Sequence, residues 1–221
     1  RPTMDWQHPE HAGRRVRLAY CRNLHAADDL AGTLAGMRAV TLPLRARLAA
    51  PGERFGVGLY FSAEVARELA GATGVRPRAE LTALIVENAL DPFTFNAFPY
   101  GGFHRDGLKA GVFRPSWLDR ERVEFTLDVA RIAVDLARAT RAAHPSVALG
   151  STGSAHSSIS THSGAFGTAI RGEADRIACA QNFARAVAGL ARLEREHGQR
   201  VVLALEAEPR ASSADSASLA G

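Results

Sequence analysis

Apolar residues recur along this chain in two periods, short near-continuous runs and longer stretches spaced by three or four. The runs predict strands. Val16 to Cys21 (VRLAYC) is the first, and Phe55 to Phe61 (FGVGLYF) the second, with Gly56 and Gly58 admitting a close neighbour. Asp91-Pro92 breaks a helical pattern before Phe93-Thr94-Phe95, the third. Ser157 to Thr161 is the most strand-like part of a region rich in Ser, Gly and His, residues 146 to 167, and Val201 to Leu205 (VVLAL) is the fifth.

The stretches between them predict helices. Asp28 or Asp29 can cap one that runs to about Ala49, with Pro43 expected to kink or split it. Ser62 with Glu64 opens another, and residues 78 to 88 place Leu81, Leu84 and Ile85 on one face. After Pro115-Ser116-Trp117 comes a long helix with Val123, Leu127, Ala130, Val134 and Ala137 inward and Glu124, Asp128, Arg131, Asp135 and Arg138 toward water. Glu173 to His197 carries Cys179, Phe183, Ala186, Leu190 and Leu193 as its stripe, and Gly198 stops it.

Strand and helix thus alternate about five times, which predicts an α/β chain with a parallel sheet, its fifth strand buried on both faces. Residues 16 to 209 form one domain in this reading, after a polar lead-in over 1 to 15 and before a small-residue, disordered tail over 210 to 221. A complete eight-fold barrel takes about 250 residues. The 221 residues here fall short of that.

Candidate chemistry collects in two stretches. In residues 91 to 104, DPFTFNAFPYGGFH, Asn96 ends a strand, and Tyr100, Gly101, Gly102, Phe103 and His104 then supply a hydroxyl, two permissive glycines, a ring and an imidazole. Two readings stand side by side: a binding loop after a strand, or a surface loop whose aromatics pad a neighbouring helix. The second stretch is Glu206-Ala207-Glu208-Pro209, where two carboxylates follow an apolar strand as at an active-site rim. Pairing of Glu206 or Glu208 with a nearby Arg is the plainer alternative. Asn23 and His25 also follow a strand, while Lys109, the only lysine, reads as exposed more readily than as a buried catalytic amine. His156 and His162 flank the fourth strand and read as two exposed imidazoles.

Composition narrows the class. An apolar share of 46% fits a globular core, and the formal charge of +4 comes from Arg interleaved with Asp and Glu. No nucleic-acid partner is expected from such a surface. Cys21 and Cys179 have no metal-ligand spacing and fit a reducing, cytoplasmic setting, and no run reaches the roughly 18 apolar residues of a membrane span. Oligomeric state is open.

The blocks Tyr20-Cys21-Arg22-Asn23-Leu24-His25, Phe95-Asn96-Ala97-Phe98-Pro99-Tyr100-Gly101-Gly102-Phe103-His104, Ser158-Ile159-Ser160-Thr161 and Leu205-Glu206-Ala207-Glu208-Pro209 resemble the EboE-type metabolite traffic proteins. These are similar to the xylose-isomerase-like TIM-barrel superfamily. The resemblance runs from about Val16 to Pro209, its most specific block is Asn-x-Phe-Pro-Tyr-Gly, and it departs at Ala207 from the family's Glu-Pro-Glu-Pro. It implies a partial (β/α)8 barrel of about five parallel βα units with its C-terminal units missing. It further implies handling or export of a metabolite precursor, with a small polar metabolite bound by Asn23, His25, Asn96, Tyr100, Lys109 and Glu208.

The superfamily implies in addition a divalent cation (Mg²⁺, Mn²⁺ or Zn²⁺) in an intact parent, with Glu206 its first acidic ligand. The isomerase or epimerase alternative makes His104 and Glu206 catalytic. Glu206 with water alone would hold a hard cation weakly. An open fifth strand is expected to leave Val201, Val202, Leu203 and Leu205 short of cover, making the chain aggregation-prone or partner-dependent.

Overall fold

The computed structural model describes residues 5–11, 15–25, 27–101, 111–144, 156–213 and 215. Among these residues, seven strands form two sheets. β1 (Asp5–Gln7) and β2 (Arg15–Arg17) make a small antiparallel pair. β3 (Tyr20–Cys21), β4 (Phe55–Tyr60), β5 (Leu90–Asn96), β6 (Ser157–His162) and β7 (Val201–Glu206) form a five-stranded parallel sheet in the order β3-β4-β5-β6-β7. Each strand therefore lies beside its neighbour in sequence, with no reversal of order such as a doubly wound sheet has at its switch point.

The helices are α1 (Leu30–Gly36), α2 (Leu42–Leu48), α3 (Ala63–Ala70), α4 (Val75–Glu87), α5 (Arg120–Ala143) and α6 (Glu173–His197). Their boundaries follow local chemistry. Asp29 caps α1 by accepting the Gly32 N–H at 2.7 Å, and the Ser62 hydroxyl accepts the Val65 N–H at the start of α3. Gly198 ends α6 with φ at +66°, a left-handed position that glycine adopts without strain.

Val57, Leu59, Phe95, Ile159 and Val201 share the main core with Val65, Leu69, Leu81, Ile85, Val129, Ala133 and Leu190 from the helices. The register aligns Gly58, Thr94, Ser158 and Val202 in one row across the sheet, and Tyr60, Asn96, Ser160 and Ala204 in the next. These two rows lie on the other face, opposite the helix-covered residues. Apart from Gly58 and Tyr60 they stay at least partly open, and the Ser158 hydroxyl bonds Thr94 Oγ1 across it at 2.9 Å.

The structure refines the expected elements. The run Val16 to Cys21 divides: Val16 pairs with Trp6 in the small sheet, and Tyr20 and Cys21 alone join the large one. The helix over residues 28 to 49 divides just before Pro43, where a π-helical turn, Met37–Thr41, joins α1 to α2. A wider turn accommodates a residue that lacks an N–H and crowds the carbonyl four residues back.

The long helix α5 buries far more than one stripe, because it lies over β5 and β6 and between α3, α4 and α6. Finally, β7 is not buried on both faces. Only Val201 is buried and Leu205 is 41% exposed, since β7 is an edge with one strand partner. The beginning of the expected tail pairs back onto the body, with Ala211 bridging Phe166 and the Ser212 N–H donating to the Ala165 carbonyl at 2.8 Å.

At the N-terminal end of the sheet, Asp91 accepts from both Arg17 and Arg54, and the Arg17 guanidinium also lies 3.9 Å above the Phe93 ring. Pro92 has no N–H for the ladder, and the register with β4 shifts there, leaving Phe93 as the extra residue of a bulge. Gly56 sits beneath this knot: a Cβ on it would come within 2.0 Å of the Leu18 carbonyl oxygen. Asp91→Asn is expected to lower stability by about 1 to 3 kcal/mol, since two partly buried guanidinium groups lose their shared carboxylate. Gly56→Ala should destabilise as well by displacing the chain that leads into β3. Urea unfolding of each variant against the parent chain measures both.

Candidate functional site

The C-terminal ends of the parallel strands gather polar side chains that the other end pairs off. Asn96 ends β5, and its side-chain oxygen accepts the Phe98 N–H at 2.8 Å, which turns the chain out of the strand. The Ala97 N–H donates to the Ser160 carbonyl, and the Tyr100 carbonyl accepts from the Ala63 N–H at the start of α3. The loop after β5 is thus fastened to β6 and α3. Tyr60 ends β4 with its hydroxyl donating to the Gly101 carbonyl at 2.6 Å, and burial pushes that phenol well above its usual range.

Arg122, in the first turn of α5, locks this region from beneath. It is 0% exposed, and its Nη1 and Nε donate to the carbonyls of Ala97 at 2.7 Å and Pro115 at 2.9 Å. The guanidinium carbon lies 5.7 Å from the Tyr100 ring centre and 5.6 Å from that of Phe125. Its Nη2 has no hydrogen-bond partner among the described residues. Burial lowers the guanidinium pKa to about 10, so it remains a cation at neutral pH.

His162 ends β6 and overturns the expectation of an exposed imidazole. It is 0% exposed, with ring centres of Phe98 and Phe113 at 5.0 and 5.3 Å. Both ring nitrogens lack a partner among the described residues. Burial first, and then the charge of Arg122, hold its pKa down to about 3. A Ser-Gly-His run reads as loop, whereas β6 carries the His162 side chain between β5 and β7 into an aromatic cluster.

Beside His162 in register is Glu206, at the end of β7, its side chain exposed. Glu208 follows on a turn, its N–H donating to the Glu206 carbonyl at 3.1 Å. Burial raises the Glu208 carboxyl, and the charge of Glu206 and a hydrogen bond between the two side chains raise it further. No arginine pairs with either among the described residues.

The remaining expected site residues are placed less closely. Asn23 and His25 lie in a 3₁₀ turn, Arg22–His25, after β3, four strand steps from Glu206, roughly 19 Å along the sheet at about 4.8 Å per step. Asn23 Oδ1 is buried without a partner among the described residues, and the His25 ring lies 6.1 Å from that of Tyr20. The Tyr100 hydroxyl accepts from Arg67 on α3 at 3.1 Å, and its ring meets Phe125 edge-on at 5.2 Å. This is the helix-padding arrangement, on the same loop whose backbone borders the site. His104 and Lys109 lie outside the described residues, as do Gly102 and Phe103.

Arg122 had a signal in the sequence. Arg122, Thr126, Val129, Ala133, Leu136 and Thr140 recur at steps of four and three, and all are buried. An arginine opening such a stripe faces inward. Among the described residues no group of three or more His, Cys, Asp or Glu side chains converges, so Glu206 and Glu208 do not by themselves complete the donor set of a divalent cation. Among the same residues, no helix is long and apolar enough to cross a membrane.

The burial of His162 has a pH consequence. In the unfolded chain the imidazole takes up a proton near its ordinary value of 6.5, but in the fold it stays neutral down to about 3. Its contribution to stability is whole above about pH 6.5 and falls as pH drops toward 3, at about 1.4 kcal/mol per unit. His162→Leu is expected to flatten the loss of thermal stability between pH 6.5 and pH 4, as followed by circular dichroism melts across that range.

No family model, curated protein or solved structure matches the chain.

Proposed function

We propose that the chain is an EboE-type, xylose-isomerase-like part-barrel that binds a small polar metabolite at the C-terminal ends of its parallel strands, in the handling or export of a metabolite precursor. The observation that carries this reading is that Asn96, His162 and Glu206 end three neighbouring parallel strands at one rim. The sequential strand order supports the barrel type, because a βα repeat wound in one direction places each new strand beside the last. Chemistry in such a fold belongs to the strand C-terminal face, where side chains from several strands can meet one ligand. Hydroxyl and amide groups of Thr94, Asn96, Ser158 and Ser160 extend a polar lining down the open face.

A second reading is a sugar isomerase or epimerase. The adjacent Glu206 and Glu208 favour it, because a carboxyl whose pKa is raised by burial and by its neighbour's charge is suited to proton transfer. In that reading Glu206 would also hold a divalent cation in an intact parent, with His104 orienting a hydroxyl.

The two readings separate by experiment. Replacement of Asn96 and Tyr100 is expected to impair accumulation or export of the metabolite in cells that carry the intact parent, and unchanged accumulation would remove the site assignment. Ketose–aldose interconversion across a sugar panel, with added Mg²⁺ or Mn²⁺, tests the enzyme reading. Turnover that falls at least about a hundredfold in Glu206→Gln is its expected result, the scale of a general acid–base contribution.

A further inference from the structure

The metabolite-binding reading gives His162 a place at the rim but no contact with the ligand, and it leaves Arg122, beneath the same rim, without a task. Arg122 is a fully buried cation, and no carboxylate forms an ion pair with it among the described residues. Its two bonded carbonyls satisfy Nε and Nη1 and leave Nη2 unused. A buried guanidinium without a negative partner is costly, and native proteins keep one where a counter-charge arrives from elsewhere.

His162 stands next to it through the same strand end. Arg122 bonds the carbonyl of Ala97, the next residue, Phe98, packs on the His162 ring, and the Ala97 N–H bonds Ser160, two residues before His162. Two buried side chains thus carry unused hydrogen-bonding atoms around one short segment. An imidazole held neutral offers one N–H donor and one acceptor, and the guanidinium offers a charged donor. That pair suits an oxyanion, with one oxygen on Arg122 Nη2 and another on the imidazole N–H. A neutral hydroxyl would leave the cation with only the charge of Asp119, which makes no ion pair with it.

We propose that Arg122 and His162 bind the oxyanion of a small metabolite, a carboxylate or a phosphate group, at the end of β6. The proposal rests on the metabolite-binding reading for its place in the fold and assigns the charge class of the ligand, which that reading leaves open. Phe98, Phe113 and Phe166 pack together beside His162, keeping water away from part of the site and strengthening the charged contact. Because both side chains are closed off from solvent, the group admitted must be small.

The test is calorimetric titration of the whole chain at pH 7 and fixed chloride with two probes, formate and inorganic phosphate. Saturable binding of at least one is expected, weakened about tenfold or more in Arg122→Lys, which keeps the charge but loses the fork, and in His162→Phe, which keeps the aromatic packing. Arg122→Met is the harsher variant; if it fails to fold, the other two still decide.

The His162 ring ¹⁵N resonances provide a second readout and are expected to shift on titration in the parent chain. Absence of saturable binding by either probe, or equal binding in parent and variants, would overturn the proposal and point to buried water as the partner. The outcome is separable from the metabolite reading. A neutral metabolite whose accumulation depends on Asn96 would sustain that reading while formate and phosphate binding fails.

Discussion

A guanidinium sealed from solvent at the first turn of α5 is the contact on which the upper end of the sheet depends. Arg122 joins the Ala97 carbonyl after β5 to the Pro115 carbonyl before α5, and the rings of Tyr100 and Phe125 flank it. A buried charge tolerates few geometries, since each lost donor bond leaves a cation or a carbonyl without water to replace it. The loop after β5 is consequently held on three sides: by Arg122, by the Ala97 N–H on β6, and by the Ala63 N–H of α3 on the Tyr100 carbonyl. Side chains on that loop are displayed from a fixed backbone. This is what a binding rim requires.

The two ends of the parallel sheet treat charge in opposite ways. At the N-terminal end, Asp91 neutralises Arg17 and Arg54 together, around a bulge that Pro92 imposes and a glycine that lets the chain near Leu18 approach. At the C-terminal end, Arg122 Nη2 and both His162 ring nitrogens are buried without a hydrogen-bond partner among the described residues, and burial and then the charge of Glu206 raise the Glu208 carboxyl, with no arginine paired to either. Paired charge favours folding, whereas unpaired buried polar groups are retained at its expense. In parallel βα folds that division places stability at one end and ligand chemistry at the other.

VVLAL is apolar enough for a strand covered on both sides, yet among the described residues β7 has a strand neighbour only in β6. Val201 is covered from the side of α6, while Ala204, Leu205 and Glu206 are open. The turn after it, from Glu208 to Ser212, folds back along residues 163 to 167 through hydroxyl and backbone bonds. That return covers part of the β6 end and helps close the aromatic cluster around His162.

By itself the sequence determined the alternation of five main strands with helices, the choice of Asp28 or Asp29 as the first helix cap, the cap at Ser62, the stop at Gly198 and the parallel pairing. All of these follow from local periodicity and from the conformational limits of single residues. It also marked Asn96 and Glu206 as strand-end groups, because both directly follow strand-like runs. The spacing of four and three also set Arg122 on the inward stripe of α5, but tertiary structure decided how completely it and His162 are enclosed and by what.

Arg122 and Arg120 differ by two positions on one helix, and His162 and His156 flank one strand, so composition treats each pair alike. Burial separates them: the inward face of α5 and the flanking of β6 by β5 and β7 enclose Arg122 and His162 and leave Arg120 and His156 in water. The cause is physical. Desolvation and charge coupling depend on neighbours brought together across 25 residues between Ala97 and Arg122 and 64 between Phe98 and His162, distances at which sequence periodicity carries no information.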